Sequence, residues 1–406
     1  MSGKIDAEGA DKQPISPEST RRPEWLTPNL LGMSLASFLS DLGHEMATSV
    51  LPLFLLNLGA SPINLGIIEG VSDGSSTLAK LVGGRLADRV RVRHLLASAG
   101  YLATGVSTGL FSVARSWSEL LAARAVGWFS RGVRGPARNA MLADSTPKKD
   151  VGKAFGFHRS ADTIGAVAGP LAAVLALKFL GLRGVFLLTA LPGVLSGLCF
   201  FFTVRDPRAR TDTSSRSLPR WGAAIPPTFR RFLLAVGLFG VGDFAHSLLV
   251  MRAATLLDQT AGAMTTAVFL YALHNVVHAL MSFPIGALGD RLSRRRLLAL
   301  AYIVNALAAV GFAFAPPRVG FLAVLFALAG AVMAAQETLE PAVAAQTIAP
   351  EARGTAFGIL AAINGLGDLT SSLMVGLLWS KISAPIAFGY SAAMSLAGAL
   401  MMAVSE

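Results

Sequence analysis

Long stretches of this chain, among them Met46–Ile68, Gly184–Val204, Gln259–Gly289 and Ile382–Ser405, contain no Asp, Glu, Lys or Arg. A helix needs about 20 mostly apolar residues to cross about 30 Å of hydrocarbon. Hydrocarbon offers no partner to a backbone N–H or C=O, and runs this long and apolar satisfy theirs internally as helices. With 53% of its 406 residues hydrophobic and 15% charged, the chain is too apolar for one soluble domain of ordinary composition. Dividing the apolar segments at polar turns predicts twelve spans, near 29–57, 64–87, 94–114, 117–141, 154–177, 182–204, 230–257, 263–288, 295–315, 318–345, 354–379 and 383–404.

The net charge of +11 is gathered in short clusters between these runs, which points to a membrane rather than to nucleic acid. Loops after even-numbered spans hold Arg85, Arg89, Arg91 and Arg93, then Lys148, Lys149 and Lys153. Next come the seven arginines between Arg205 and Arg231, and finally Arg291, Arg294, Arg295 and Arg296. The other side carries only Arg115, Lys178, Arg183, Arg318 and Lys381. The positive-inside rule then places both termini in the cytoplasm. Residues 1–28, with four prolines, read as a disordered cytoplasmic tail. Residues 29–204 form a first bundle, 205–229 a basic central loop, and 230–406 a second bundle. Cys199 is the only cysteine, which excludes an internal disulfide framework and a Cys-rich metal site.

Three matches in one register divide the spans into two copies. Asp41-Leu42-Gly43-His44 recurs as Asp243-Phe244-Ala245-His246, and 243 − 41 = 202. Gly84-x-Leu86-x-Asp88-Arg89 recurs as Gly286-x-Leu288-x-Asp290-Arg291, and Ala154-Phe155-Gly156 as Ala356-Phe357-Gly358, both at that offset. Gly-x-Leu-x-Asp-Arg between spans two and three, repeated between eight and nine, resembles the signature loop of the major facilitator superfamily. The resemblance covers residues 29–404, although Arg91 and Ser293 stand where the family pattern has another glycine. It implies an all-α membrane fold of twelve helices in two pseudo-symmetric six-helix bundles. The solute would bind near the midplane between them. It also implies a cytoplasmic gate, in which the glycine allows close helix approach and the aspartate caps a neighbouring helix and pairs with arginine. The expected gating residues are Gly84, Asp88, Arg89, Gly286, Asp290 and Arg291, joined by Arg131, Arg134 and Arg138 from one stripe of span four.

Within that superfamily the chain looks most like the twelve-span drug or metabolite:proton antiporters. Gly165, Gly169 and Pro170 in span five resemble the antiporter motif Gly-x-x-x-Gly-Pro, and Leu120 with Arg124 resembles the Leu-x-x-x-Arg motif whose arginine is associated with proton coupling. A plain packing seam of small residues remains the alternative for the glycines.

Ionisable groups inside a span cost several kcal/mol unless they are paired or face water, so they mark function. Asp41, His44 and Glu45 share a face of span one, Glu69 and Asp73 a face of span two with Lys80 further along, and His158 and Asp162 a face of span five. Asp243 and His246 mirror span one, Glu337 and Glu340 precede Pro341, and Asp368 follows Asn364 by a turn. A carboxylate in a low-dielectric cavity is costly to keep charged. Asp41 and Glu45, with Arg124, are therefore expected to handle protons, or Asp41 is a fixed partner of His44. The substrate cavity is expected to take His44, Glu69, Asp73, Asp243, His246, Glu337 and Glu340, with Phe54, Phe239 and Phe269 as apolar contacts. Such an acidic cavity favours a cationic or neutral amphipathic solute. Glu45, Glu69 and Asp73 correspond to Ser247, Tyr271 and Asn275 in the second copy, which points to proton handling mainly in the first. His274 and His278 at i and i+4 are expected to bond between helices rather than to hold a metal.

No nucleotide-binding loop, nucleophile with its base or cysteine site is visible, so neither an enzyme nor a cofactor is expected. The sequence reads as a secondary transporter of a small organic solute in a bacterial inner membrane, as a monomer, driven by proton antiport in the efflux direction. The rivals are a proton symporter or facilitator importing a metabolite, siderophore or metal chelate, and a transporter-fold sensor.

Overall fold

The computed structural model describes residues 23–59, 62–90, 92–207, 225–243, 246–257 and 263–404. Most of the expected tail (1–22) and of the central loop (208–224), with Arg91, Phe244 and Ala245, lies outside the described residues. Among those described there is no strand.

The helices are α1 (Pro28–Asn57), α2 (Pro62–Arg89), α3 (Arg93–Leu110), α4 (Trp117–Asp144), α5 (Val151–Thr203), α6 (Pro227–Gly240), α7 (His246–Leu256), α8 (Ala263–Arg291), α9 (Arg294–Ala313), α10 (Val319–Thr347), α11 (Arg353–Lys381) and α12 (Ala384–Val404). In the first bundle α5 packs on α1 and α3, and α4 on α2 and α3; in the second α8 packs on α10, and α12 on α9 and α6. Across the interface α5 meets α8, and α2 meets α11. Seven helical segments among the described residues are long and apolar enough to cross a membrane by length and composition alone. Large apolar side chains such as Leu187, Leu307, Leu373 and Leu400 are exposed, an apolar surface that suits lipid and not water.

Two elements depart from one helix per span. At 53 residues α5 would run about 80 Å, more than twice the hydrocarbon thickness. It is two spans joined at Gly181, whose φ of 62° is open to glycine and strained for other residues. Spans five and six thus fall where the sequence places them. The uninterrupted span seven expected over 230–257 is corrected: α6 ends at Gly240 and α7 starts at His246. Gly237, Gly240 and Gly242 weaken the helix there. The carbonyls freed by the break find hydroxyls on α11 and α12. Tyr390 donates to Val241 O (3.1 Å), Ser391 to Gly242 O (2.6 Å) and Ser371 to Asp243 O (2.5 Å). Irregular backbone at membrane depth is tolerated where protein groups satisfy it in this way.

Ser371 and Ser391 are fully buried, so Ser371→Ala and Ser391→Ala each strand a carbonyl, at about 1–2 kcal/mol apiece. Both are expected to lower the thermal denaturation midpoint of the purified protein, and the double variant more than either. Unchanged midpoints would show that the break does not depend on these hydroxyls.

Candidate transport site between the bundles

The two copies of the Gly-x-Leu-x-Asp-Arg loop make reciprocal contacts across the interface. Asp88 on α2 accepts from Gly354 N (2.8 Å) and Thr355 N (2.7 Å) at the start of α11. Asp290 on α8 accepts from Gly152 N (2.7 Å) and Lys153 N (2.8 Å) at the start of α5. Each carboxylate therefore meets the unsatisfied N–H groups and positive dipole end of a helix in the other bundle. The approach requires glycine: a Cβ on Gly286 would lie 2.1 Å from Gly152 O, and one on Gly84 2.6 Å from Gly354 O. Asp290 pairs with Arg294, while Arg291 and Arg89 are exposed, which corrects the expected partner in the second copy to Arg294. A further tie links Asp144 at the end of α4 to Arg93 (2.8 Å) and, across the interface, to Arg353. All of these lie at the end of the molecule that carries the basic loops.

The α4 arginines turn away from this latch, contrary to the expected pairing with Asp88. Arg131 forms a salt bridge with Asp41 at 2.8 Å. Arg134 donates to Ser40 (2.8 Å) and lies over the Tyr101 ring. Arg138 donates to Ser37 (3.0 Å) and to Asn139 (3.3 Å). Buried guanidinium groups take the carboxylate and hydroxyls that α1 presents at the same depth. Asp41 is thus a partner of Arg131, and the alternative pairing with His44 is corrected. His44 instead packs against Trp128, with ring centroids 4.4 Å apart, and lies 3.9 Å from Glu45. Trp128 also stacks under Arg124 and donates to Asp73 (3.1 Å). Gly165 and Gly169 seat α5 on α1: Cβ atoms there would meet Phe38 O at 2.4 Å and the Glu45 Cβ at 2.7 Å. The antiporter-like glycines are therefore a packing seam behind Asp41 and Glu45.

A cavity of about 420 Å³ lies between the bundles. Of the expected cavity residues, Asp243, His246, Glu337 and Glu340 line it. His44 and Asp73 do not, being engaged with Trp128, and the Glu69 side chain lies outside the described residues. The three phenylalanines are also misplaced: Phe239 stacks on Tyr302, Phe54 packs on Phe186 and Arg183, and Phe269 is exposed. Sequence reasoning missed Lys80, Arg138, Arg159, Gln336, Asn364 and Asp368 as lining residues. Lys80 and Asp368 carried the signal of charge within a span; Arg159 carried that of a cation three residues before Asp162.

Arg159 joins the bundles inside the cavity. It donates to Asp162 on its own helix (2.7 Å) and lies 3.1 Å from Glu337 on α10. Glu337 also meets His278 of α8 at 3.0 Å. His274 stacks between His246 and Tyr271, and its ring centroid is 6.4 Å from that of His278. Glu340 accepts from Tyr302 (2.8 Å) and Asn364 (2.7 Å). The arrangement can bind and neutralise charged groups of a solute.

Asp88→Asn and Asp290→Asn remove a charge from a helix cap, worth about 1 kcal/mol each, so the interface at the basic end should open roughly fivefold more often. A cysteine at the fully buried Ser282, in a Cys199→Ser background, reports this by maleimide labelling. Unchanged labelling rates in both variants would undo the latch.

Comparison with known proteins gives the same architecture. The Major Facilitator Superfamily model matches residues 33–273 and 232–405. An uncharacterized MFS-type transporter of Methanocaldococcus jannaschii is 28% identical over 383 residues, covering 93% of this chain and 94% of that protein. Multidrug resistance protein MdtG of Escherichia coli is 28% identical over 367 residues, 85% of this chain and 86% of MdtG. Among solved structures, the transporter FucP in its outward conformation superimposes with a TM-score of 0.77 at 14% identity, over 95% of this chain and 100% of FucP.

Proposed function

Because this chain belongs to the major facilitator superfamily, we propose that it is a proton-coupled exporter of small organic solutes that works by alternating access. The observation that carries the coupling is Arg159, which bridges Asp162 of the first bundle and Glu337 of the second inside the cavity. A proton on Glu337 loosens its contact with Arg159, and with it one of the ties between the bundles. Asp41 works one helix away in the same manner: protonation releases Arg131, whose pairing otherwise fixes α4 to α1. Arg131, Arg159 and Glu337 are partly exposed, so each pair is worth less than the roughly 3–5 kcal/mol of a fully buried one, and its loss biases a balanced conformational equilibrium rather than fixing it. Glu45 stands on the α5 seam beside Gly169, and Arg124 lies under Trp128 against His44, so both belong to the same polar region.

Export is supported by the E. coli relative, named for multidrug resistance. The basic end is the cytoplasmic end by the positive-inside rule, with both termini there. With that end latched, the described state is closed on the basic side. The protein acts as a monomer in a cytoplasmic membrane, since the cavity and both latches are complete within one chain.

In proteoliposomes of fixed orientation, Asp41→Asn should abolish movement driven by a pH gradient while solute exchange without a gradient persists. Coupled transport surviving in both Asp41→Asn and Glu45→Gln would remove these residues from proton handling. Substrate moving down the proton gradient would identify an importer, and binding without movement a sensor.

A further inference from the structure

The charges lining the cavity are sorted by bundle. The first bundle contributes Lys80, Arg138 and Arg159 and no acid; the second contributes Asp243, Glu337, Glu340 and Asp368 and no Lys or Arg. This replaces the acidic cavity expected from sequence with a bipolar one.

The sorting follows from the duplication. Arg138 corresponds to Glu340 at the 202-residue offset (340 − 138 = 202), and both line the cavity. Arg131, which neutralises Asp41, corresponds to Met333 (333 − 131 = 202). Asp243, the counterpart of Asp41, thus lacks the arginine that its copy has.

Several of these charges are already occupied. Arg159 and Glu337 hold one another, and Glu340 is bound by Tyr302 and Asn364. Lys80 on one wall, and Asp368 and Asp243 on the other, have no opposite charge within 4.0 Å among the described residues. Lys80 and Asp368 are not far apart along the facing helices. A Cβ on Gly365, one turn before Asp368, would come 3.6 Å from the Lys80 Nζ, so glycine there leaves the amine room. Arg138 spends its hydrogen bonds on neutral partners (Ser37, Tyr101 and Asn139) and keeps its charge for the cavity. Lys80 and Asp368 act on one another across the gap without a contact ion pair, and a ligand that contacts both walls would lower the cost of holding these charges in a partly desolvated cavity.

We propose that the transported solute is amphoteric, with its anionic group held by Lys80 and Arg138 and its ammonium group by Asp368 and Asp243. The inference rests on the cavity being the transport site and specifies what passes through it. A volume of about 420 Å³ suits a metabolite- or drug-sized molecule. A solute with one charge satisfies one wall and leaves the other exposed.

Two matched sets of probes isolate charge from shape. One is para-(aminomethyl)benzoate with para-methylbenzoate and para-methylbenzylamine; the other is aminohexanoate with hexanoate and hexylamine. Thermal stabilisation of the purified full-length protein gives relative affinities. In at least one set the amphoteric member should bind about tenfold more tightly than either singly charged analogue, since each lost charge-assisted contact is worth about that much. Lys80→Gln should weaken the amphoteric and anionic probes and spare the amine; Asp368→Asn should do the reverse. Lys80→Arg, which keeps the charge, should restore the response that Lys80→Gln loses; loss in both variants with the amine probe weakened as well would show a folding defect and overturn the assignment of Lys80. Equal or tighter binding of a singly charged member in both sets, or no response to any amphoteric probe, overturns the proposal. Uptake of labelled probe into proteoliposomes separates this failure from that of the transport reading. Movement of a singly charged probe alone refutes the amphoteric class and leaves transport standing; binding of an amphoteric probe with no movement refutes transport.

Discussion

A backbone N–H or C=O left without a partner in hydrocarbon costs several kcal/mol, and this constraint reaches every functional feature of the molecule. It makes the spans helical. It also gives their ends and interruptions chemical value, because those are the places where backbone groups are free to bind something else. At the starts of α5 and α11 the free N–H groups are taken by Asp290 and Asp88 of the opposite bundle. At the break between α6 and α7 the free carbonyls are taken by Ser371, Tyr390 and Ser391. The latch and the broken cavity helix are thus two uses of one rule. The first joins the bundles through groups that water can replace when they part, whereas the second fixes an irregular segment inside one bundle for good.

Close approach of backbones follows a second rule, that small residues admit it. Gly152 and Gly286 touch where α5 crosses α8, Gly84 and Gly354 where α2 crosses α11, and Gly165 and Gly169 where α5 lies on α1. The first two crossings lie between bundles and the third within one. The same residue type therefore serves contacts between bundles, which the proposed alternating access would open, and contacts within one. What distinguishes them is the companion chemistry: carboxylates on helix ends at the openable crossings, and a continuous apolar and polar packing surface along α1 at the permanent one.

The repeat and the latch were legible in the sequence because both copies keep the same residues for the same job. Asp88 and Asp290 meet equivalent helix starts, so a single offset found both. The cavity was only half legible. Asp243, His246, Glu337 and Glu340 announced themselves as charges in apolar runs, but so did His44 and Asp73, which Trp128 engages away from the cavity. Periodicity tells which residues share a helix face and not which face meets which neighbour. For that reason the pattern points Arg131, Arg134 and Arg138 of α4 at the gate when their partners are on α1, and gives no hint that Arg159 crosses to a residue 178 positions away (337 − 159 = 178). The interruption of span seven left a trace in three closely spaced glycines, but its stability lies in hydroxyls more than 100 residues distant, which no local pattern reveals.

Sorting opposite charges onto opposite bundles has an energetic consequence of its own. Opposite charges on facing walls of a partly desolvated cavity attract, so the cavity walls are drawn together even when empty. At the basic end, two carboxylate caps of about 1 kcal/mol each, reinforced by the Arg353–Asp144 tie, hold the opposite closure. A transporter requires that such opposing terms balance, because a state favoured by much more than about 5 kcal/mol would not exchange with its alternative. A solute that completes both walls replaces a long attraction between them by two short contacts, and so favours closure around itself. In the proposed coupling, a proton that loosens Glu337 from Arg159 acts in the other sense, by weakening the tie between bundles. Solute and proton would then bias one equilibrium from opposite sides, which is the condition for exchanging one against the other.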